Sequence, residues 1–554
     1  MQLITFLGFT TFVAIIAYLS SKKTDETSSD GYFLGGRSLT AGVIAGSLLL
    51  TNLSTEQIVG LNGQAFTEGI LVMAWESLAA IAMVVTAVFL LPRYLKGGLT
   101  TVPQFLGRRY DTFTKTLASG LFLSGYVIVL LPIVLYSGAV AFSAMFNLPE
   151  VLGITRVQSI WACVWGIGII GSIYAVFGGL KAVAVSDTIN AVGLLIGGIM
   201  IPIFGLSYVG DGSITAGFSE IMASNPEKFN SIGDSAASVP FATIFTGMML
   251  VQVFYWGTNQ AIIQRALAAK DLREGQKGLI LASFIKILGP LILVIPGIIS
   301  FHIFGDTLAS ADEAYPKLVS QVLPASLVGF FAAVLFGAIL SSFNSALNSS
   351  VTLFGIDIYK EHFNKEASEK QVVKAGKIFG VLLAILAMFI APLIMYADDG
   401  LFGYLQKVNG CYSIPILTII IVGYLTKKVP AIAAKVAIIL GAVLYSISIF
   451  FLEPHYRNTA VAAAEAAGIT GDELKYVETG AYPHFLHVMA ILFLMNVIIM
   501  LVIGQIKPRK EAYEAKYTRQ VDITPWKYVN QVGVLVCIIV VAIYVMFSPL
   551  MLGS

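Results

Sequence analysis

Apolar residues fill this chain in long runs, and the polar positions that interrupt them are few and clustered. Reading for apolar stretches of about 17–25 residues predicts about fourteen helical spans able to cross a bilayer. They lie near 2–20, 41–64, 70–95, 116–146, 157–177, 183–209, 239–258, 274–304, 326–357, 373–397, 401–425, 430–452, 483–506 and 528–549. The polar segments between them are short, the longest being 210–238, 305–325, 453–482, 358–372 and 507–527. Residues 458–474 are Ala-rich and predict a short helix outside the membrane, whereas the charged piece 507–520 predicts a solvated segment. One membrane domain, 1–554, is expected.

Two spans depart from the pattern. The stretch Ser47–Gly63 carries Asn52, Ser54, Thr55, Glu56 and Gln57 where lipid-facing side chains are expected. An intramembrane polar group is costly unless it meets protein, water or a ligand, and a helix interrupted near the midplane is how transporters build substrate and ion sites. Near 247–264 a second such span holds Gln252 and Asn259, with Gly257 beside Tyr255 and Trp256. The two broken spans stand five apart. That spacing suggests an inverted repeat over 41–209 and 239–425, with 1–40 and 426–554 peripheral.

Composition agrees. The 554 residues are 57% hydrophobic and 12% charged, with a mean hydropathy of +0.84. Soluble domains carry about twice that share of charge. The first span has Lys22 and Lys23 directly after it and no basic residue before it, which reads as an uncleaved anchor with its N-terminus outside. On that orientation the inside segments hold most of the 34 Lys and Arg, and the outside ones hold Arg156, Lys228, Lys317, Arg457 and Lys475. Both termini are then outside. Cys163, Cys411 and Cys537 lie in or beside apolar spans without metal-ligand spacing, and the five His lack Cys or carboxylate partners nearby in sequence. With no nucleotide-binding loop and no nucleophile–base set, neither an enzyme nor an ATP-driven pump is expected.

Several residues carry candidate chemistry. Ser341, Ser345 and Asn348 recur on one face of the ninth span, with Ser342 and Asn344 between them. Oxygen-rich faces of this kind suit a small hard cation, and they also suit close helix packing. Asp187 stands a turn or two into the sixth span, either hydrated at the interface or drawing cations along an inner path. Glu76 and Lys286 lie mid-span, where each faces a cavity or a partner of opposite charge. Gln57, Gln252 and Gln406 add long amides, and Trp75, Tyr255, Trp256 and Phe402 add rings. Together they fit a polyhydroxylated ligand, whose C–H faces pack on rings while its hydroxyls bond to amides and carboxylates.

At these residues the chain resembles the sodium:solute symporter family, close to its sodium–glucose/galactose cotransporter branch. The matching stretches are Tyr32–Ser38, Asn52–Gln57, Gly178 through Asp187, Tyr255 through Lys270, and Ser341 through Lys360, in the family's order. The resemblance implies an all-α membrane protein with a LeuT-type core of five plus five helices and peripheral helices at either end. It implies a sodium site of Leu50, Leu53 and Ala338 carbonyls with Ser341 and Ser342 hydroxyls, and sodium release past Asp187. Asn344 and Ser345 stand where some relatives bind a second sodium; one sodium per cycle is expected here. The sugar site would use Gln57, Glu76, Gln252, Lys286 and Gln406 beside Trp256, with Tyr255 as inner gate and Leu61, Trp75 and Phe402 as outer lid. Leu130 and Gln252 stand where bacterial galactose symporters carry Asn, so the implied solute is a monosaccharide without being galactose in particular.

The function expected is sodium-coupled uptake of a neutral monosaccharide, a hexose such as galactose or glucose, across a bacterial inner membrane, with no obligate protein partner. The alternatives are another organic solute (sialic acid, inositol or an amino acid) or a sugar sensor or sodium leak pathway on the same fold.

Overall fold

The computed structural model describes residues 2–21, 28–308, 310–396 and 401–553. Their regular structure is helical, the strand-like content among them being one parallel bridge between Leu39 and Ala269. Among the described residues ten helices are long and apolar enough to cross a membrane, or eleven when a bent pair is taken as one span. Each of the fourteen expected spans has a helical counterpart, but not all of them are continuous. The first span is α1 (Gln2–Ser21). The second is split into α2 (Ala41–Asn52) and α3 (Thr55–Glu68). A third helix, α4 (Ala74–Val85), continues through a π-helical turn to Lys96. The chain reverses between α3 and α4 at Gly69, whose φ of +79° and whose approach to the Lys228 backbone leave no room for a Cβ.

Next come α5 (Val102–Arg109), α6 (Thr112–Gly125), α7 (Leu131–Met145) and α8 (Arg156–Val209). A straight helix of 54 residues would reach about 80 Å, far beyond a hydrocarbon core of about 30 Å. Gly171 lies against Phe343 while Asn190 lies against Gly337, so the run doubles back along one neighbour and supplies two spans. The seventh expected span, 239–258, holds α9 (Gly247–Gly257), and past the break at Thr258 and Asn259 the chain goes on beyond the expected bound as α10 (Gln260–Leu267). The eighth is α11 (Leu272–Ile287), bent by 49° into Gly289–Phe304. The neighbour of α8 is α12 (Ala325–Thr352), and α13 (Glu369–Ile390), α14 (Leu401–Leu425), α15 (Ala431–Ile447), α16 (Phe485–Ile506) and α17 (Val529–Met546) complete the order. The Ala-rich piece is longer than expected and forms two helices, Glu453–Ala466 and Asp472–Gly480.

Large apolar side chains such as Ile170, Ile196, Leu382, Leu494 and Ile538 face outward, while Ser, Asn, Gln and charged groups are buried. That inside-out distribution is what a lipid solvent selects. Two large apolar clusters fill the interior. One takes Leu48, Leu49 and Trp256; the other takes Leu50, Leu53, Leu61, Trp75 and Ala338. The break between α2 and α3 falls where these clusters meet.

Arg109 fastens one end of the bundle. Its guanidinium, fully buried, donates to the carbonyls of Gly423 (2.9 Å), Val429 (3.0 Å) and Thr426 (3.1 Å) at the end of α14. Arg109→Ala strands these acceptors, and thermal unfolding in detergent is expected to show a loss of about 3 kcal/mol or more. An unchanged midpoint would mean that water reaches them instead. The charged segment after α16 lies along the same end without regular structure. Arg509 and Tyr513 donate backbone N–H groups to Lys428 and Lys427, and Thr518 donates to Lys96 (3.1 Å). Leu272 then donates to Asp522 (2.9 Å), so the segment is bonded to several helix ends rather than only solvated.

Candidate functional site

The α2–α3 break follows from its residues. Asn, Ser and Thr side chains compete with helical backbone bonds, and Ser54 takes the extended conformation that opens a helix. Its ψ is 174°, and Leu53 before it leaves the helical region at ψ 56°. The last turn of α2 therefore ends in carbonyls without a continuing helix, and the dipole there carries partial negative charge. Facing that turn is the Ser and Asn face of α12. Ser342 Oγ donates to the Thr51 carbonyl at 2.9 Å, and Thr51 Oγ1 lies 3.4 Å from Ser341 Oγ and 3.1 Å from Ser345 Oγ. Leu50, Leu53 and Ala338 are buried in the same region. Thus the five candidate sodium positions come from α2, its exit and α12, two elements meeting at the break. Asn344 Oδ1 and both polar atoms of Asn348 are buried without a hydrogen-bond partner.

A buried polar chain extends from there. Ser47 Oγ donates to Asp187 Oδ2 at 2.7 Å, and Arg265 Nε donates to Ser47 Oγ at 3.2 Å. The Arg265 guanidinium also donates to Ser345 Oγ and to the Ala261 carbonyl. Asp187 is 1% exposed, so the hydrated interfacial reading is set aside. Sequence reasoning had no role for Thr51, Ser47 or Arg265. Arg265 carried the same signal as Glu76 and Lys286, a charge that lipid cannot solvate.

The second break orders the other side. Asn259 caps α10 by accepting from Ala261 N–H at 3.0 Å, and Tyr126 OH donates to Asn259 Oδ1 at 2.6 Å. The Gly257 carbonyl freed at the break accepts from Tyr94 OH at 2.9 Å. Tyr255, on the last turn of α9, accepts from Asn52 Nδ2 at 3.2 Å, which joins the two breaks through one bond.

The candidate solute positions gather around Glu76 on α4. One carboxylate oxygen accepts from Gln57 Nε2 at 2.5 Å, and the other is paired with Lys286 on α11. Both charged groups are buried, Lys286 at 1% exposure and Glu76 at 0%. Lys286 Nζ lies 5.7 Å from the Trp256 ring centroid, and Gln252 Nε2 donates to the Trp75 carbonyl at 2.8 Å. Gly289 makes room for the pair, since a Cβ there would fall 2.4 Å from Glu76 Oε2. Leu61 and Trp75 are buried on α3 and α4. Gln406 is half-buried on α14, and no hydrogen bond described joins it to the cluster. The side chain of Phe402 lies outside the described residues. Glu76 is thus paired with Lys286, and Asp187 meets Arg265 through Ser47, while Glu56 is buried on α3 with no ion pair among the described residues.

Residues 32–441 match the model of the "Sodium:solute symporter family". The chain is 44% identical over 544 residues to "Uncharacterized symporter YidK" of Escherichia coli (strain K12), covering 98% of this chain and 90% of that one. It is 32% identical over 467 residues to the "Sodium/glucose cotransporter" of Vibrio parahaemolyticus, covering 79% and 84%. The fold matches a solved Na+-coupled sialic acid symporter with a TM-score of 0.72 at 19% identity, over 92% of this chain and 99% of that one. The architecture is LeuT-type, the protein is a multi-pass membrane transporter, and its coupling ion is sodium. On the family match and these relatives, the chain belongs to the sodium:solute symporter family.

Proposed function

We propose that this symporter takes up a neutral monosaccharide, a hexose such as glucose or galactose, by alternating access. The observation that carries the reading is the state of Lys286. Its charge is engaged by Glu76, which also holds Gln57. A carboxylate-bearing solute would have to compete with Glu76 for the ammonium and then lie beside a buried carboxylate. A hydroxylated neutral solute needs only to accept from Lys286 and Gln57 and donate to Glu76. Tyr255 and Trp256 offer rings for its C–H faces, and Gln252 and Gln406 offer amides.

In this reading sodium binds carbonyls of Leu50, Leu53 and Ala338 and the Ser341 and Ser342 hydroxyls. It holds the last turn of α2 against α12 and so fixes where α3 carries Gln57. Closure of Leu61, Trp75 and Phe402 covers the solute from outside. Sodium departs inward past Ser345, Asn344 and Asp187, and Tyr255 then swings away from Asn52 to release the solute. The repeats are 41–209 and 239–425, both termini lie outside, and the membrane is the bacterial inner membrane. One charge moving through 100 mV supplies about 2.3 kcal/mol. A tenfold sodium gradient adds about 1.4 kcal/mol, and the two sustain roughly several-hundredfold accumulation of a neutral solute.

Uptake into proteoliposomes tests the reading. Labelled glucose or galactose is expected to accumulate under an inward sodium gradient, without inhibition by sialic acid or amino acids at matched concentration. Accumulation of only a charged solute would overturn the neutral-sugar assignment and leave the symporter standing. Sodium flux indifferent to every solute would instead support a leak pathway.

A further inference from the structure

A cavity of about 720 Å³ opens on the membrane face between α4 with its π-helical continuation and the last helix, α17. Its walls include Val85, Val88, Phe89, Val534 and Cys537, and almost all of them are apolar. The small residues of α17 create the space. At Gly533 the two walls come closest, since a Cβ there would fall 2.7 Å from the Val84 side chain.

One end is polar and basic. Asn530 lines it, and Lys527 lies three residues before Asn530 in the turn that opens α17, its Nζ 5.4 Å from the Tyr528 ring centroid. Arg93, one turn beyond Phe89, donates to the Phe89 carbonyl at 2.6 Å and places its guanidinium 3.8 Å over the Phe89 ring. Gln276 holds the two walls at a common depth, donating to the Ala87 carbonyl (3.0 Å) and accepting from Trp526 N–H (2.7 Å). Neither Arg93 nor Lys527 has a carboxylate partner within ion-pair distance among the described residues.

We propose that this groove is a specific site for an anionic phospholipid. One acyl chain lies along Val85, Val88 and Val534, and the phosphate meets Arg93 and Lys527, cations at the depth where headgroups begin. A neutral lipid satisfies the apolar wall but leaves both cations without an anion. The site bears on transport because its walls are the helices of the solute cluster. The helix α4 carries Glu76, and α17 packs against both α4 and the Lys286-bearing α11. The leaflet, though not the binding, rests on the orientation proposed above, which makes it the cytoplasmic one.

Native mass spectrometry of the full chain, purified and exposed to equal phosphatidylglycerol and phosphatidylcholine in mixed micelles, reads the site directly. The wild type is expected to retain phosphatidylglycerol in preference. Arg93→Gln with Lys527→Gln is expected to cut that preference about tenfold or more. Arg93→Lys with Lys527→Arg keeps the charges and the preference. Cys537→Phe fills the groove and is expected to lower retention of both lipids while thermal unfolding stays cooperative. Equal retention of the two lipids by the wild type would overturn the proposal, as would a preference that survives both the charge-removing and the groove-filling variants. Sodium-driven uptake is not the readout, so failure of the solute assignment leaves this result unaffected.

Discussion

Ser342→Ala is expected to raise the sodium concentration for half-maximal uptake by about ten- to a hundredfold, the effect of deleting one oxygen partner of a charged group in a buried site. The reasoning rests on position. Ser342 Oγ bonds to the Thr51 carbonyl on the last turn of α2, so its oxygen lies at the junction where the candidate sodium ligands meet. Replacing it with a methyl group removes an oxygen and brings in no bulk. Binding of the solute at saturating sodium should survive, because Gln57, Glu76 and Lys286 are untouched. A sodium titration of hexose uptake, with solute binding measured separately at high sodium, distinguishes the two. If Ser342→Ala leaves the sodium dependence unchanged, the cation binds elsewhere and the proposed ligand set falls.

The largest loss is expected at the Glu76–Lys286 pair. Lys286→Met leaves a fully buried carboxylate with only Gln57 beside it, and breaking a buried pair from one side costs about 3–5 kcal/mol. The variant should lose both thermal stability in detergent and hexose uptake. Glu76→Gln combined with Lys286→Met removes both charges, and replacing a buried pair as a whole is often neutral for stability. The double variant is therefore expected to recover the unfolding midpoint without recovering uptake. That separation is the informative result. Recovery of uptake along with stability would show that the pair is structural and that the solute is held by other groups.

Much of the fold could be read in one dimension because a bilayer imposes long apolar helices and penalises every polar interruption. Asn52 through Gln57 marked the first break, and Gly257 with Asn259 marked the second. Both breaks are in the structure. The same penalty cost the span count its simplicity, since a run that breaks at Ser54 or at Thr258 is not one continuous helix. The site was legible where a residue is anomalous by itself, as Glu76 and Lys286 are. Their pairing across 210 positions was open, as the alternative to a cavity, until α4 and α11 were placed side by side. Thr51 and Ser47 went unassigned because their meaning lies in partners: Ser345 and Asp187 reach them only through packing of α2, α8 and α12. Residues that look ordinary in a helix of mixed small side chains become distinctive only by contact.

The segment between α16 and α17 has a mechanical consequence. Its main-chain bonds reach Lys96 after α4, Lys427 and Lys428 after α14, and Leu272 at the start of α11. Ends bonded to one continuous segment are coupled through it, since moving any two apart must stretch or break one of its backbone hydrogen bonds. The strap thus yokes the ends of α4, α11 and α14 into one frame. Tyr255, at the end of α9, lies outside that yoke, and it meets Asn52 across the two breaks through a single side-chain bond of 3.2 Å.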